Sequence, residues 1–231
     1  TNYKMKKNIF LALDFNSLKR ALYVTKKTKK YIAGIKIGLE LFNTIGLKGL
    51  KHFNSFNLPI FLDTKIFDIP NQVAKTIKVV KKYKNIEYFT IHAMGSLEML
   101  KSAKKATKGS KIKLLAVSVL TSWNKKDLEL IGIKRPIKNQ VKLLTALAKR
   151  SNISGMISSP QDIKLVRSVS KKIKIFCPGI RIKNKKQDQK RILNYKEFCR
   201  IADNNCYAVI GRPIYEGNPL KNIKQIINSA K

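Results

Sequence analysis

The stretch Pro59-Ile60-Phe61-Leu62-Asp63-Thr64-Lys65-Ile66-Phe67-Asp68-Ile69-Pro70-Asn71-Gln72-Val73 changes its hydrophobic period within one short segment. Residues 59–62 form an apolar run of the length of a buried strand. Over 70–83, Val73, Ile77 and Val80 recur at i, i+4 and i+7, the spacing of one helix face. Pro70 suits the first turn of that helix, where its missing N–H costs nothing. Between strand and helix lie Asp63, Lys65 and Asp68. The segment is one strand–helix unit with charges at the strand's carboxyl end.

Working outward, the same alternation recurs along the chain. Apolar runs at 9–13, 32–37, 59–62, 86–91, 112–119, 153–157, 173–177 and 206–210 read as strands. Amphipathic stretches at 17–30, 39–53, 70–83, 96–106, 138–150, 160–171, 195–203 and 219–229 read as helices. Alternating strands and helices predict a parallel sheet. Eight rounds in 231 residues, close to the roughly 250 typical of the architecture, predict an α/β fold of one (β/α)8 barrel over 1–231. No linker and no 20–50-residue repeat interrupts the pattern. The most polar connection, 182–191, follows the seventh strand.

Composition narrows the partners. Forty-nine Lys and Arg oppose thirteen Asp and Glu, a formal charge of +36. Clustered cations bind nucleic acid by releasing its counterions. Here 41 of the 49 are lysine, spread over the whole chain beside abundant Ile and Asn. That is a composition bias rather than an aromatic-interleaved basic stripe, so no nucleic-acid partner is expected. The positive field does favour a small phosphorylated substrate. Cys177, Cys199 and Cys206 form no CxxC pair, and His52 and His92 complete no zinc spacing, so no metal site and free thiols are expected. Lys4-Met5-Lys6-Lys7 before Ile9-Phe10-Leu11-Ala12-Leu13 mimics a signal peptide, but Asp14 ends the apolar run too early. No run approaches a membrane span. A cytoplasmic protein with no membrane contact is the expectation.

Barrel sites sit at the carboxyl ends of strands, so polar residues there are the candidates. Asp14 follows strand one, and Lys36 lies in the apolar Gly34-Ile35-Lys36-Ile37-Gly38 of strand two. Asp63 and Lys65 end strand three, two positions apart and so expected on one face of an extended strand, with Asp68 just beyond. His92 ends strand four and reads as a packed histidine rather than a catalyst. Thr121-Ser122 follow strand five, as site residues or as caps for the next segment. Of only eight arginines, Arg181 follows strand seven in Pro178-Gly179-Ile180-Arg181, and Arg212 follows strand eight in Ile210-Gly211-Arg212-Pro213. Many barrels bind phosphate at these two loops. Glycine admits close backbone approach, and guanidinium grips phosphate oxygens in pairs.

With these residues placed, the sequence resembles the orotidine 5′-phosphate decarboxylase family over essentially its full length. The carrying motifs are Leu13-Asp14, Gly34-Ile35-Lys36-Ile37-Gly38, Asp63-Thr64-Lys65-Ile66-Phe67-Asp68-Ile69-Pro70, Ile91-His92-Ala93, Leu120-Thr121-Ser122, Pro178-Gly179-Ile180-Arg181, Asp188-Gln189 and Ile210-Gly211-Arg212-Pro213. The resemblance implies a homodimer that converts orotidine 5′-phosphate to UMP and CO2 without cofactor or metal. It implies a charge array of Lys36, Asp63, Lys65 and the other subunit's Asp68, with Lys65 protonating C6. Asp14 would hold a ribose hydroxyl, and Thr121 and Pro178 would flank the pyrimidine. Gln189, Gly211 and Arg212 would grip the phosphate, with Arg181 close by. Two features depart from the family pattern. Gln72 stands where many relatives have a threonine that reaches across the dimer, and 182–188 is Lys-rich without glycine.

Two rivals remain open at this stage. Sister barrels sharing D-x-K-x-x-D, of the 3-keto-gulonate-6-phosphate decarboxylase or hexulose-phosphate synthase type, use Mg2+ and an acidic residue; Lys36 and the arginine–glutamine phosphate loop favour the orotidine branch. The other rival is a basic nucleic-acid-binding barrel.

Overall fold

Eight parallel strands close into a ring in the computed structural model, which describes residues 7–181 and 193–230. They are Ile9–Ala12, Gly34–Gly38, Ile60–Ile66, Ile86–His92, Lys113–Val117, Gly155–Ile157, Lys174–Cys177 and Cys206–Ile210. All eight fall on the expected runs. Each strand pairs with its neighbours in chain order, and the first closes the ring against the eighth through Phe10 and Val209.

Alternation of side chains explains why these runs were apolar throughout. Ile9, Leu11, Ile35, Ile37, Ile60 and Leu62 point outward into the layer beneath the helices. Phe10, Ala12, Phe61, Tyr88, Leu115, Val117, Phe176 and Val209 point inward and fill the ring. Both faces of every strand are therefore dry, as a covered parallel sheet requires. On strand two the inward positions are Gly34, Lys36 and Gly38. A Cβ on Gly34 would lie 2.4 Å from the Phe10 ring, so the missing side chain is the space that ring occupies.

The helices follow the predicted faces with instructive exceptions. The stretch 39–53 is not one helix. Gly46 adopts φ 60 and ψ −175, a conformation glycine tolerates and a helix does not. The segment then continues as a 3-10 helix, Leu50–Phe56. Over 160–171 a 3-10 turn, Pro160–Asp162, precedes a shorter helix, Ile163–Val169. Two short helices were not anticipated, Lys125–Leu130 and Arg212–Tyr215. Asn124 caps the first of these reciprocally with Asp127, so capping is not the role of Thr121 or Ser122.

Beyond strand seven, Ile180–Arg181 pairs in parallel with Leu193–Asn194. The polar connection 182–191, with Asp188 and Gln189, lies outside the described residues. The three cysteines are free, with Cys177 and Cys206 buried. No helix among the described residues is long and apolar enough to cross a membrane.

Candidate active site

At the carboxyl ends of the strands the ring opens into a pocket of about 870 Å3, its open mouth included. Asp14, Lys36, Asp63, Lys65, Thr121, Pro178, Arg181, Gly211 and Arg212 all line it. Its apolar floor is Phe61, Val117, Ile157 and Val209. Residues on or just after seven of the eight strands thus converge, as the strand-end reading anticipated.

Charges alternate across one wall. The Lys36 ammonium lies 2.9 Å from Asp14 Oδ1 and 3.6 Å from Asp63 Oδ2. Lys65 Nζ lies 2.9 Å from that same Asp63 oxygen. Lys36 and Asp63 are buried, Lys65 is one-third exposed, and Asp14 sits at the mouth. Gly38 makes room for the outer pair, since a Cβ there would stand 2.9 Å from Lys36 Nζ and 3.0 Å from Asp14 Oδ1.

Burying such charges is costly unless each has a partner. For Lys36, burial opposes the ammonium, but Asp63 and Asp14 more than offset it and hold the pKa above the ordinary lysine value. For Asp63, burial alone would raise the carboxyl. Lys36, Lys65 and the hydrogen bonds from Lys65 and Thr90 outweigh it and hold the pKa below the usual carboxylate range. Asp63 is therefore a fixed anion between two cations.

The geometry of Lys65 differs from simple strand alternation. Its φ is 48, in the left-handed region that non-glycine residues seldom adopt. Pairing with strand four jumps from Leu62–Phe89 to Ile66–Ile91, so Asp63, Thr64 and Lys65 together oppose the single residue Thr90. Asp63 and Lys65 do share the pocket, through a bulge rather than through a regular pleat.

Other candidates separate from the array. Asp68 lies on the loop beyond the strand, its carboxylate accepting the Ile69 N–H at 2.7 Å, and it pairs with no lysine among the described residues. His92 is a half-buried ring beside Phe67, centroids 5.8 Å apart. Burial, and then Lys65, lower its pKa against a smaller opposing effect of Asp63, so it is a neutral imidazole at neutral pH. Gln189 lies outside the described residues. Sequence reasoning did not single out Thr90, which is fully buried and bonded to both Asp63 and Lys65. The signal was present as a lone hydroxyl between Phe89 and Ile91. Ser158 was also missed; it lines the pocket and accepts a hydrogen bond from Ser118 at 3.1 Å.

Fold and site define a class: a (β/α)8-barrel enzyme with lysines and aspartates paired in its strand-end pocket. The family model described as "Orotidine 5'-phosphate decarboxylase / HUMPS family" matches residues 7–226, and the chain belongs to this family as a carboxy-lyase. It is 40% identical over 223 residues to an orotidine 5'-phosphate decarboxylase of Wolbachia pipientis, covering 96% of this chain and 97% of that one. It is 40% identical over the same length to the enzyme of that name in Ehrlichia canis, with 96% of each chain covered. Among solved structures, orotidine 5'-phosphate decarboxylase from Lactobacillus acidophilus superposes with a TM-score of 0.82 at 28% identity, over 98% of this chain and 100% of that one.

Proposed function

We propose that this chain decarboxylates orotidine 5′-phosphate to UMP and CO2, the last step of making a pyrimidine nucleotide, with Lys65 as proton donor. The observation that carries the reading is the buried Lys36–Asp63–Lys65 array in a pocket that also contains Arg181 and Arg212. Its relatives' names point to the same substrate.

The chemistry asks for this arrangement. Breaking the C6–carboxylate bond releases CO2 and leaves the electron pair on C6, where the ring delocalises it poorly. An ammonium already fixed beside that carbon stabilises the developing charge and then gives it a proton, forming the C6–H bond of UMP. Asp63 holds Lys65 in place through their 2.9 Å ion pair. The arginines would hold the phosphate, so that binding energy remote from C6 positions the ring over the array. Asp14 would take a ribose hydroxyl, with Thr121 and Pro178 beside the base.

Asp68 belongs, on this reading, to the neighbouring subunit's pocket. Phe67 and Ile69 flank it at 63% and 62% exposure, an apolar pair on a loop that no element among the described residues covers. A homodimer would bury them and deliver Asp68. Mixing inactive Lys65→Ala and Asp68→Asn protomers should then restore activity, because the hybrid dimer contains one intact site. No recovery on mixing would place Asp68 elsewhere.

The metal-dependent sister chemistry is less well supported. Its site needs carboxylates around a cation, whereas here an ammonium, Lys36, stands 3.6 Å from the central aspartate. The test is the loss of ultraviolet absorbance of orotidine 5′-phosphate on adding pure protein. Turnover unaffected by EDTA is expected; no turnover, or turnover abolished by EDTA, would overturn the reading.

A further inference from the structure

The inward face of strand four presents Tyr88, Thr90 and His92 towards the ring. Only Thr90 faces the bulge. Where a regular ladder would offer a backbone partner for each residue, three residues of strand three meet this one. Its hydroxyl substitutes for the missing ladder. It accepts the Lys65 backbone N–H at 2.8 Å and donates to Asp63 Oδ1 at 3.1 Å. One oxygen therefore ties together the left-handed backbone of Lys65 and the carboxylate that holds its ammonium. Asp63 Oδ2, left free by this bond, is the oxygen that both lysines share.

We infer that Thr90 is a positioning residue for the proton transfer, holding the bulge and thereby the angle at which Lys65 meets C6. The inference rests on the reading of the site given above. Two features make it more than packing. Thr90 is 0% exposed, and a buried hydroxyl is disfavoured unless it is hydrogen-bonded; here both of its bonds go to the bulge. It also acts on Lys65, one of four non-glycine residues held at positive φ among the described residues, and such a conformation persists only when neighbours over-determine it. The adjacent Thr64 hydroxyl is buried with no hydrogen-bond partner among the described residues, so none of them gives the bulge a second polar clamp at that position.

The roles of shape and hydroxyl separate by substitution in the full-length protein. Thr90→Val keeps the shape and removes both hydrogen bonds; Thr90→Ser keeps the hydroxyl and removes the methyl. Misplacing a reacting group by about an ångström costs about a hundredfold in rate. Thr90→Val is therefore expected to lower kcat about a hundredfold, with KM changed by less than about threefold because the phosphate and ribose contacts are untouched. Thr90→Ser is expected to keep kcat within about threefold of wild type. Crystal structures of the variants provide a readout independent of turnover. In Thr90→Val, Lys65 should leave positive φ or its ammonium should move beyond ion-pair distance of Asp63, and in Thr90→Ser neither should occur. If Thr90→Val does not fold, Thr90→Cys, with a similar shape and a weak donor, is expected to lose at least about tenfold in kcat. Wild-type kcat in the valine or cysteine variant, equal losses in the valine and serine variants, or an undisturbed Lys65 in the Thr90→Val crystal would overturn the inference. A wild-type protein silent on orotidine 5′-phosphate would instead remove the proposed function, and the two crystal structures would still decide what Thr90 holds.

Discussion

The two ends of the barrel interior are built from the same strands and solve opposite problems. At the amino end, Phe10, Tyr88, Phe176 and Tyr207 interlock, with Phe10 and Phe176 centroids 5.1 Å apart and Phe176 stacked on Tyr207 at 4.8 Å. The cations there stay at the rim. Lys113 and Lys174 lie over Tyr88 and Tyr207 at 5.6 and 5.3 Å, and Lys113 pairs with Glu87 while 42% exposed. At the carboxyl end the next inward positions carry Lys36, Asp63 and Thr90, and the charges are buried. Phe61 and Asp63 are successive inward residues of a single strand, one closing the aromatic plug and the other centring the array. The first end derives its strength from area, which any apolar shape supplies. The second depends on particular partners, because every charge there is tolerable only beside its opposite.

Substitutions should therefore behave differently at the two ends. The largest effect is expected from Asp63→Asn, which leaves the buried Lys36 ammonium and the one-third exposed Lys65 ammonium without the carboxylate between them. Turnover should fall by about a thousandfold or more, with about 3–5 kcal/mol of stability lost as well; wild-type kcat in this variant would show that the array is ornamental. Phe176→Ala at the other end should cost a comparable 3–5 kcal/mol in denaturant unfolding. Its kcat per folded molecule should change only severalfold, and a catalytic loss matching that of Asp63→Asn would erase the distinction. Arg212→Ala, in the pocket lining, should raise KM about ten- to a hundredfold with a smaller change in kcat, as expected for a lost charge-assisted contact. Equal kcat/KM for mutant and wild type would refute its phosphate role.

The pH dependence follows from the same array. The Asp63 pKa is depressed in the folded chain, so its contribution is present above the unfolded value of 3.8 and is lost as pH falls through the folded one. That of Lys36 is raised, so its contribution is present below 10.5 and is lost as pH rises through the folded value. Thermal unfolding should show a plateau between these limits, and Asp63→Asn should flatten the acid side. An unchanged acid limb would mean that other carboxylates set it. The smallest effect is expected at the amino rim, where Lys113→Met should shift stability by less than about 1 kcal/mol, since a half-exposed pair is worth little.

The contrast also explains what could be read from sequence. The strands were legible because both of their faces are buried and the apolar runs are continuous. The site was legible because polar residues at strand ends, such as Asp14, Lys36 and Arg212, stand out against those runs. The helix break at Gly46 was not legible, since a half-buried glycine is tolerated in many contexts and only its backbone angles reveal the kink. The bulge at Asp63–Lys65 was hidden more deeply. Period-two spacing predicts that the two side chains share a face, and they do, but for a reason written on strand four. Thr90 lies 25 residues further along, and its part becomes apparent only once the register of two strands is known.

The central claim is that the Lys65 ammonium, rather than the pocket as a whole, delivers the proton. The direct measurement is single-turnover decarboxylation of orotidine 5′-phosphate by Lys65→Ala, alongside the affinity of the same variant for UMP. The account predicts turnover reduced by at least about ten-thousandfold, the combined worth of a general acid and a fixed charge, while UMP affinity stays within about tenfold because the phosphate and ribose contacts are intact. Decarboxylation by Lys65→Ala at a rate near that of the wild type would contradict it.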